Sequence, residues 1–162
     1  MRNRIKTVII LSILLLTFSS ISFAIVDSEG NLEIKNEYIS IFVNQNKYNR
    51  GRFAVDVTGG APMREGDDGK PLIYGHPNPW TSYTTIRIDG TNYVFGGQTK
   101  KRAGKKAKYG TLVQAPEIKE DRIITKYKYD QILVTQILSF VKSTTTGLPD
   151  TAQIRYRITN QG

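Results

Sequence analysis

Residues 84–95 read TTIRIDGTNYVF, and this stretch decides the fold. Ile86 and Ile88 alternate with Thr85 and Arg87, the period of a strand with one packed and one wet face. Asp89-Gly90 follows, and then a second strand-like run from Thr91. A two-residue Asp-Gly loop between two such runs predicts a hairpin, because a type I′ turn needs positive φ at both central residues.

The same period recurs outward from this hairpin. Ile123, Thr125, Tyr127 and Tyr129 form one face of a strand, and Lys126 and Lys128 project from the other. Ile154, Tyr156 and Ile158 alternate with Arg155, Arg157 and Thr159. Residues 131–142 are apolar on both faces, through Ile132, Val134, Leu138 and Phe140 on one and Leu133, Ile137 and Val141 on the other. That pattern predicts a central strand covered on both sides, and its β-branched residues argue against a helix. Shorter runs at 32–34, 38–43 and 53–57 add further strands. No helical period of useful length occurs after residue 24. The expected fold is therefore all-β, an antiparallel β-sandwich, with a long loop at 59–83.

The N-terminus carries a different signal. Arg2, Arg4 and Lys6 precede an apolar run over residues 8–16, broken only by Ser12. Small residues at Ser22 and Ala24 then occupy the positions a signal peptidase reads. This is the order of a secretory leader, and the apolar run is short of the roughly 20 residues a membrane anchor needs. Residues 1–24 are predicted to be a cleaved signal peptide and residues 25–162 the β-domain, secreted or held at the cell surface. No Cys is present, so the domain must rely on packing rather than disulfides. The last strand and the turn residues Asn160-Gln161-Gly162 end without a partner strand, so the sequence reads as the front part of a longer chain.

The chain holds 23 Lys and Arg against 14 Asp and Glu, a net charge of +9. Loss of Arg2, Arg4 and Lys6 with the leader leaves +6. Much of the excess is local: Lys100, Lys101, Arg102, Lys105, Lys106 and Lys108 lie within nine positions, with no acid between them. Such a run attracts polyanions by counterion release; outside a cell these are anionic cell-wall polymers, acidic polysaccharide or DNA. The same run also serves as a solvated, solubilising loop. No RRM, KH or zinc-finger pattern is present, so no specific nucleic-acid recognition is expected.

The loop at 59–83 holds four of the six prolines and the only Trp and His. Proline stiffens it by restricting φ. Tyr74, Trp80 and Tyr83 on a stiff loop, beside Asn78 and Arg64, form a candidate stacking surface for sugar rings. The competing reading makes Trp80 a plug that closes the end of the sandwich.

Nothing marks a catalytic centre. His76 stands alone between Gly75 and Pro77. Glu65, Asp67 and Asp68 precede Gly69, but their spacing is not that of an EF-hand, and they read as a solvated turn. Glu37, Asp56, Glu65, Glu117 and Glu120 are available for carboxylate chemistry, yet no two are marked as partners. No metal or cofactor is expected, and the balance leans away from an enzyme.

Two stretches carry a resemblance. Residues 150–160, DTAQIRYRITN, are similar to a strand common in bacterial surface β-sandwiches. Residues 75–83, GHPNPWTSY, together with Ile86-Arg87-Ile88-Asp89-Gly90, resemble the N-terminal region of large exported bacterial β-sandwich proteins without assigned activity. The resemblance implies Ig-like or mutarotase-like layering and no catalytic residues. Two functions follow as expectations. One is an exported surface or secreted β-domain that binds carbohydrate or cell wall. The other is the N-terminal portion of a larger carbohydrate-active enzyme whose catalytic residues lie elsewhere.

Overall fold

A computed structural model describes residues 23–60, 64–75, 78–99 and 106–162. Among them the fold is all-β, with three sheets in a sandwich-like arrangement. The first sheet is a meander of β1 (Phe23–Val26), β2 (Leu32–Lys35), β3 (Ile39–Val43), β4 (Phe53–Val57) and β5 (Pro71–Ile73), in that spatial order. The second is the hairpin β6 (Thr85–Ile88) and β7 (Thr91–Val94), with β8 (Lys108–Tyr109) added beside β7. The third is a second meander of β9 (Thr111–Lys119), β10 (Arg122–Tyr129), β11 (Ile132–Val141) and β12 (Thr151–Asn160), ordered β12-β11-β10-β9.

The β6–β7 turn has the predicted geometry: Asp89 and Gly90 both take positive φ, at 46° and 77°. Ile88 pairs with Thr91 across it.

The inner face of the third sheet carries the core, and the other two sheets share it. Toward one end Ile123 and Leu138 meet Leu32, Ile34, Ile41, Val43, Phe53 and Val55 of β2, β3 and β4. Toward the other end Tyr127, Tyr129 and Val134 meet Phe95, with Ile86, Ile88 and Tyr93 of the hairpin packed around them. Each fully buried aliphatic or aromatic side chain here contributes on the order of 1.5–3 kcal/mol. Between the two clusters runs a polar row, Thr125, Gln136 and Tyr156, paired across β10, β11 and β12.

The structure departs from the sequence expectation in four places. β11 is central and buried on both faces, but its outer residues Thr135, Ile137 and Ser139 have no strand layer over them among the described residues. Thr135 lies between Lys126 on β10 and Arg157 on β12, and Ile137 lies between Ile124 and Arg155; the aliphatic stems of long cations cover apolar surface.

The loop at 59–83 is not structureless. It contains a 3-10 turn at Glu65–Asp67 and the edge strand β5, whose first residue is Pro71, where a missing N–H is tolerated. β9 is missed by alternation because Pro116 interrupts it. Lys126 pairs with Gln114 and Ile124 with Glu117, so Ala115 and Pro116 together oppose Thr125. This bulge on an edge strand accommodates the proline. Finally, β8 runs parallel to β7, with Tyr93 opposite Lys108 and Val94 opposite Tyr109. Parallel strands cannot be joined by a tight turn, so β7 and β8 do not form a hairpin.

Candidate functional site

The stiff loop is anchored at several points before any ligand is considered. Asn44, 2 % exposed at the end of β3, donates from Nδ2 to the Pro79 carbonyl at 3.0 Å. Ser82 Oγ accepts from the Phe53 amide at 2.8 Å, tying the loop to β4. Asn78 Nδ2 donates to Glu29 Oε2 at 3.3 Å, reaching the turn between β1 and β2. Thr81 Oγ1 donates to the Tyr74 carbonyl and closes the loop on itself.

Gly75 makes that closure possible. Its φ is +146°, and a Cβ there would stand 3.1 Å from Pro79 Cα. Any other residue would strain the backbone and push the two arms of the loop apart. The chain therefore returns on itself, and Trp80 meets Tyr74.

The rings of Tyr74 and Trp80 are 6.4 Å apart between centroids and perpendicular. They form a corner rather than a coplanar platform. Tyr74 is 65 % exposed, and Trp80 is half-buried. An edge-to-face pair holds both rings in fixed orientation, so a ligand stacking on Tyr74 pays little to order it.

The other sequence-selected residues are distributed differently. Tyr83 is used by the protein itself: its ring lies over the Arg52 guanidinium, 4.1 Å from centroid to Cζ. One face of Tyr83 is thereby covered. Asn78 is exposed beside the corner, bound to Glu29. Arg64 is exposed on the turn before β5, where its carbonyl accepts from the Asp67 amide. His76 lies outside the described residues. So do Lys100, Lys101, Arg102 and Lys105 of the basic run; Lys106 and Lys108 are described, and both are exposed.

Arg52 is the residue sequence reasoning missed. It is fully buried, at 0 % exposure. Nη1 donates to the Phe95 carbonyl at 2.9 Å and to the Ser82 carbonyl at 3.4 Å, and Nη2 to the Gly97 carbonyl at 3.4 Å. Among the described residues no carboxylate pairs with it. Burial pushes its pKa down, and nearby tyrosines partly offset that, but an arginine stays charged in proteins. Its charge is met by carbonyl dipoles and the Tyr83 ring face. Arg52 thereby fastens the loop and the β6–β7 hairpin onto β4.

Three tyrosines share this interior. Burial pushes the Tyr127 phenol up to about 12 and raises that of Tyr129 further, with Tyr127 and Tyr156 adding to it. Tyr156 is raised by burial as well, while hydrogen bonds with Thr84 and Gln136 pull the other way. Tyr127 and Tyr129 are buried, and Tyr156 is half-buried.

Among the described residues no cluster of three His, Cys, Asp or Glu is placed to hold a metal ion, and no helix is long and apolar enough to cross a membrane. In comparisons with family models, curated proteins and solved structures, nothing matches the chain.

Proposed function

We propose that the protein is an exported, surface or secreted β-domain that binds carbohydrate, with cell-wall polysaccharide as the class of ligand. The observation that carries this reading is the Tyr74–Trp80 corner: two perpendicular rings, one largely exposed, held by a glycine turn and a buried asparagine. An exposed aromatic held in place at this cost is more than a loop needs. Sugar rings present flat C–H faces that suit it, and Asn78 stands beside it with a polar edge.

Export is supported by the leader-like N-terminus and by the exposure of β1. All four residues of β1 are exposed. Cleavage after Ala24 would remove two paired positions, Phe23 with Lys35 and Ala24 with Ile34, both of them exposed residues of β1. Mass spectrometry of the protein recovered from outside an expressing bacterium should give a chain starting at Ile25. An intact Met1 terminus overturns the leader.

Trp80 is the only tryptophan, so its fluorescence reports on this corner alone. Titration with soluble polysaccharides should give a saturable spectral shift, abolished in Tyr74→Ala while Trp80 is still present. A blue, quencher-protected spectrum that no polysaccharide moves would make the corner a structural plug and end the reading.

A further inference from the structure

The outer face of the third sheet carries a trough that neither the aromatic corner nor the basic run accounts for. β11 contributes its floor: Leu133, Thr135 and Ile137, of which Thr135 and Ile137 are each 7 % exposed. The flanking strands contribute walls of long cations. Thr135 pairs with Lys126 on one side and Arg157 on the other. Leu133 pairs with Lys128, and Ile137 with Arg155. A depression of about 210 Å³ opens here, lined by Lys126, Arg157, Thr135, Leu133 and Ile137 among others.

The charges are not spoken for. Glu117 is paired with Lys119 at 3.7 Å, and Glu120 and Asp121 with Arg122. Among the described residues Lys126, Lys128, Arg155 and Arg157 have no acidic partner. Arg155 donates instead to Gln153 Oε1 at 2.8 Å, which fixes its direction. Lys126 and Arg157 thus face each other across Thr135, with Lys128 and Arg155 offset toward opposite ends of β11. Strand geometry sets them about 6.7 Å apart along each wall and about 9.6 Å apart across it.

We propose that this trough binds an extended, single-stranded polyanion without bases, a polyol phosphate or a polyuronate. Cations about 6.7 Å apart along a wall suit a linear polymer that carries a negative charge on every repeat unit. The floor is apolar apart from the Thr135 hydroxyl, which suits the C–H faces of a polyol or sugar backbone. Among the described residues no aromatic side chain of β10, β11 or β12 lies on this outer face. A single-stranded nucleic acid therefore finds no stacking platform here, and stacking supplies much of the affinity in such complexes. The trough is separate from the Tyr74–Trp80 corner and does not depend on its role.

The test uses calorimetric titration of the protein with three probes, polygalacturonate, linear polyphosphate and oligo-dT, from 50 to 200 mM salt. Wild type should bind one or both base-free polymers more tightly than oligo-dT, and the tighter of the two identifies carboxylate or phosphate as the natural charge. The double variant Lys126→Ala/Arg157→Ala should lose about tenfold in affinity and about 1.4 from the log–log salt slope. Alanine at these positions also removes the stems beside Thr135 and Ile137, so Lys126→Gln/Arg157→Gln, which keeps most of each stem, should show the same affinity loss at a wild-type melting temperature. Lys106→Ala/Lys108→Ala removes the same net charge from the basic run and should lose much less. Equal losses in the trough and basic-run variants would reduce the effect to net charge and overturn the site. So would tighter binding of oligo-dT, or no binding at 50 mM salt.

Discussion

The two ends of the inner face of β10 and β11 are built on opposite principles. Under the first sheet the contacts are mainly aliphatic: Ile123 and Leu138 against Leu32, Ile34, Ile41, Val43 and Val55, with the rings of Phe53 and Phe140 beside them. Under the hairpin they are aromatic and polar. Phe95 sits 5.1 Å from Tyr127 and 5.5 Å from Tyr156 between centroids, and Tyr93 sits 5.3 Å from Tyr129. Arg52 lies buried among them. The aliphatic end is a packing device, indifferent to pH and direction. The aromatic end is a hydrogen-bonded device that fixes one arrangement, and Arg52 fastens the candidate ligand loop to it at the Ser82 carbonyl. Specific positioning comes from polar groups that have only one way of being satisfied.

The largest expected effect tests that contrast directly. Arg52→Ala removes the donor to three carbonyls, two of them buried, and leaves a cavity. It should cost about 3–5 kcal/mol in urea unfolding. Leu138→Ala, at the aliphatic end, should cost about 2–4 kcal/mol through its cavity alone. The distinguishing readout is Trp80. Arg52→Ala should redshift its fluorescence in the still-folded protein as the loop comes loose, and Leu138→Ala should not. If both leave the spectrum alike, the aromatic end does not organise the loop.

How much of this was legible in the sequence follows from the same division. The hairpin turn, the central position of β11 and the alternation of β10 rest on local pattern, and all three are present in the structure. Asp89-Gly90 declares its turn because few other dipeptides tolerate two positive φ values. β5 and β9 were hidden because each carries a proline, and only the edge position or the bulge that admits it makes the strand visible. Arg52 was hidden for a different reason. An arginine among apolar residues reads as solvent-facing, and its partners, Ser82, Phe95 and Gly97, lie 30 to 45 residues away. They accept through backbone carbonyls alone, which have no sequence signature. The candidate ring surface was legible as composition. Its geometry was not: the sequence cannot say that Gly75 turns Tyr74 onto Trp80 while Tyr83 is spent on Arg52.

A medium-sized effect separates the two ends by pH. The folded phenols of Tyr127, Tyr129 and Tyr156 titrate above the ordinary value of 10.0, chiefly because burial disfavours the phenolate. In the unfolded chain they ionise near 10. Their contribution to stability is therefore complete below about pH 10 and is lost as pH rises toward 12 and beyond. The urea midpoint should fall steeply across that window. Tyr127→Phe should flatten the fall, since its hydroxyl makes only a long 3.4 Å bond to the Arg50 carbonyl; near neutral pH it should cost under about 1 kcal/mol. Leu138→Ala should lower the whole curve without changing its shape. A midpoint flat from pH 9 to 12 would mean that the tyrosines reach water and that the two ends are alike after all.

The smallest stability effect is expected where the largest functional one is proposed. Tyr74 is 65 % exposed, and its ring contact is the edge of Trp80. Truncating it to alanine removes little buried surface and no buried hydrogen bond, because Thr81 bonds to its backbone carbonyl rather than its side chain. Unfolding free energy should change by no more than about 0.5 kcal/mol. Gly75→Ala gives the sharper contrast. A side chain at φ +146°, 3.1 Å from Pro79 Cα, should spread the loop and separate the rings. The cost should be about 1–3 kcal/mol, with Tyr74 and Trp80 both intact. If polysaccharide response requires the corner, both variants lose it, one at nearly full stability and one with every aromatic present. If Gly75→Ala keeps the response and Tyr74→Ala abolishes it, the single exposed ring suffices and the perpendicular pairing is only a way of holding it out.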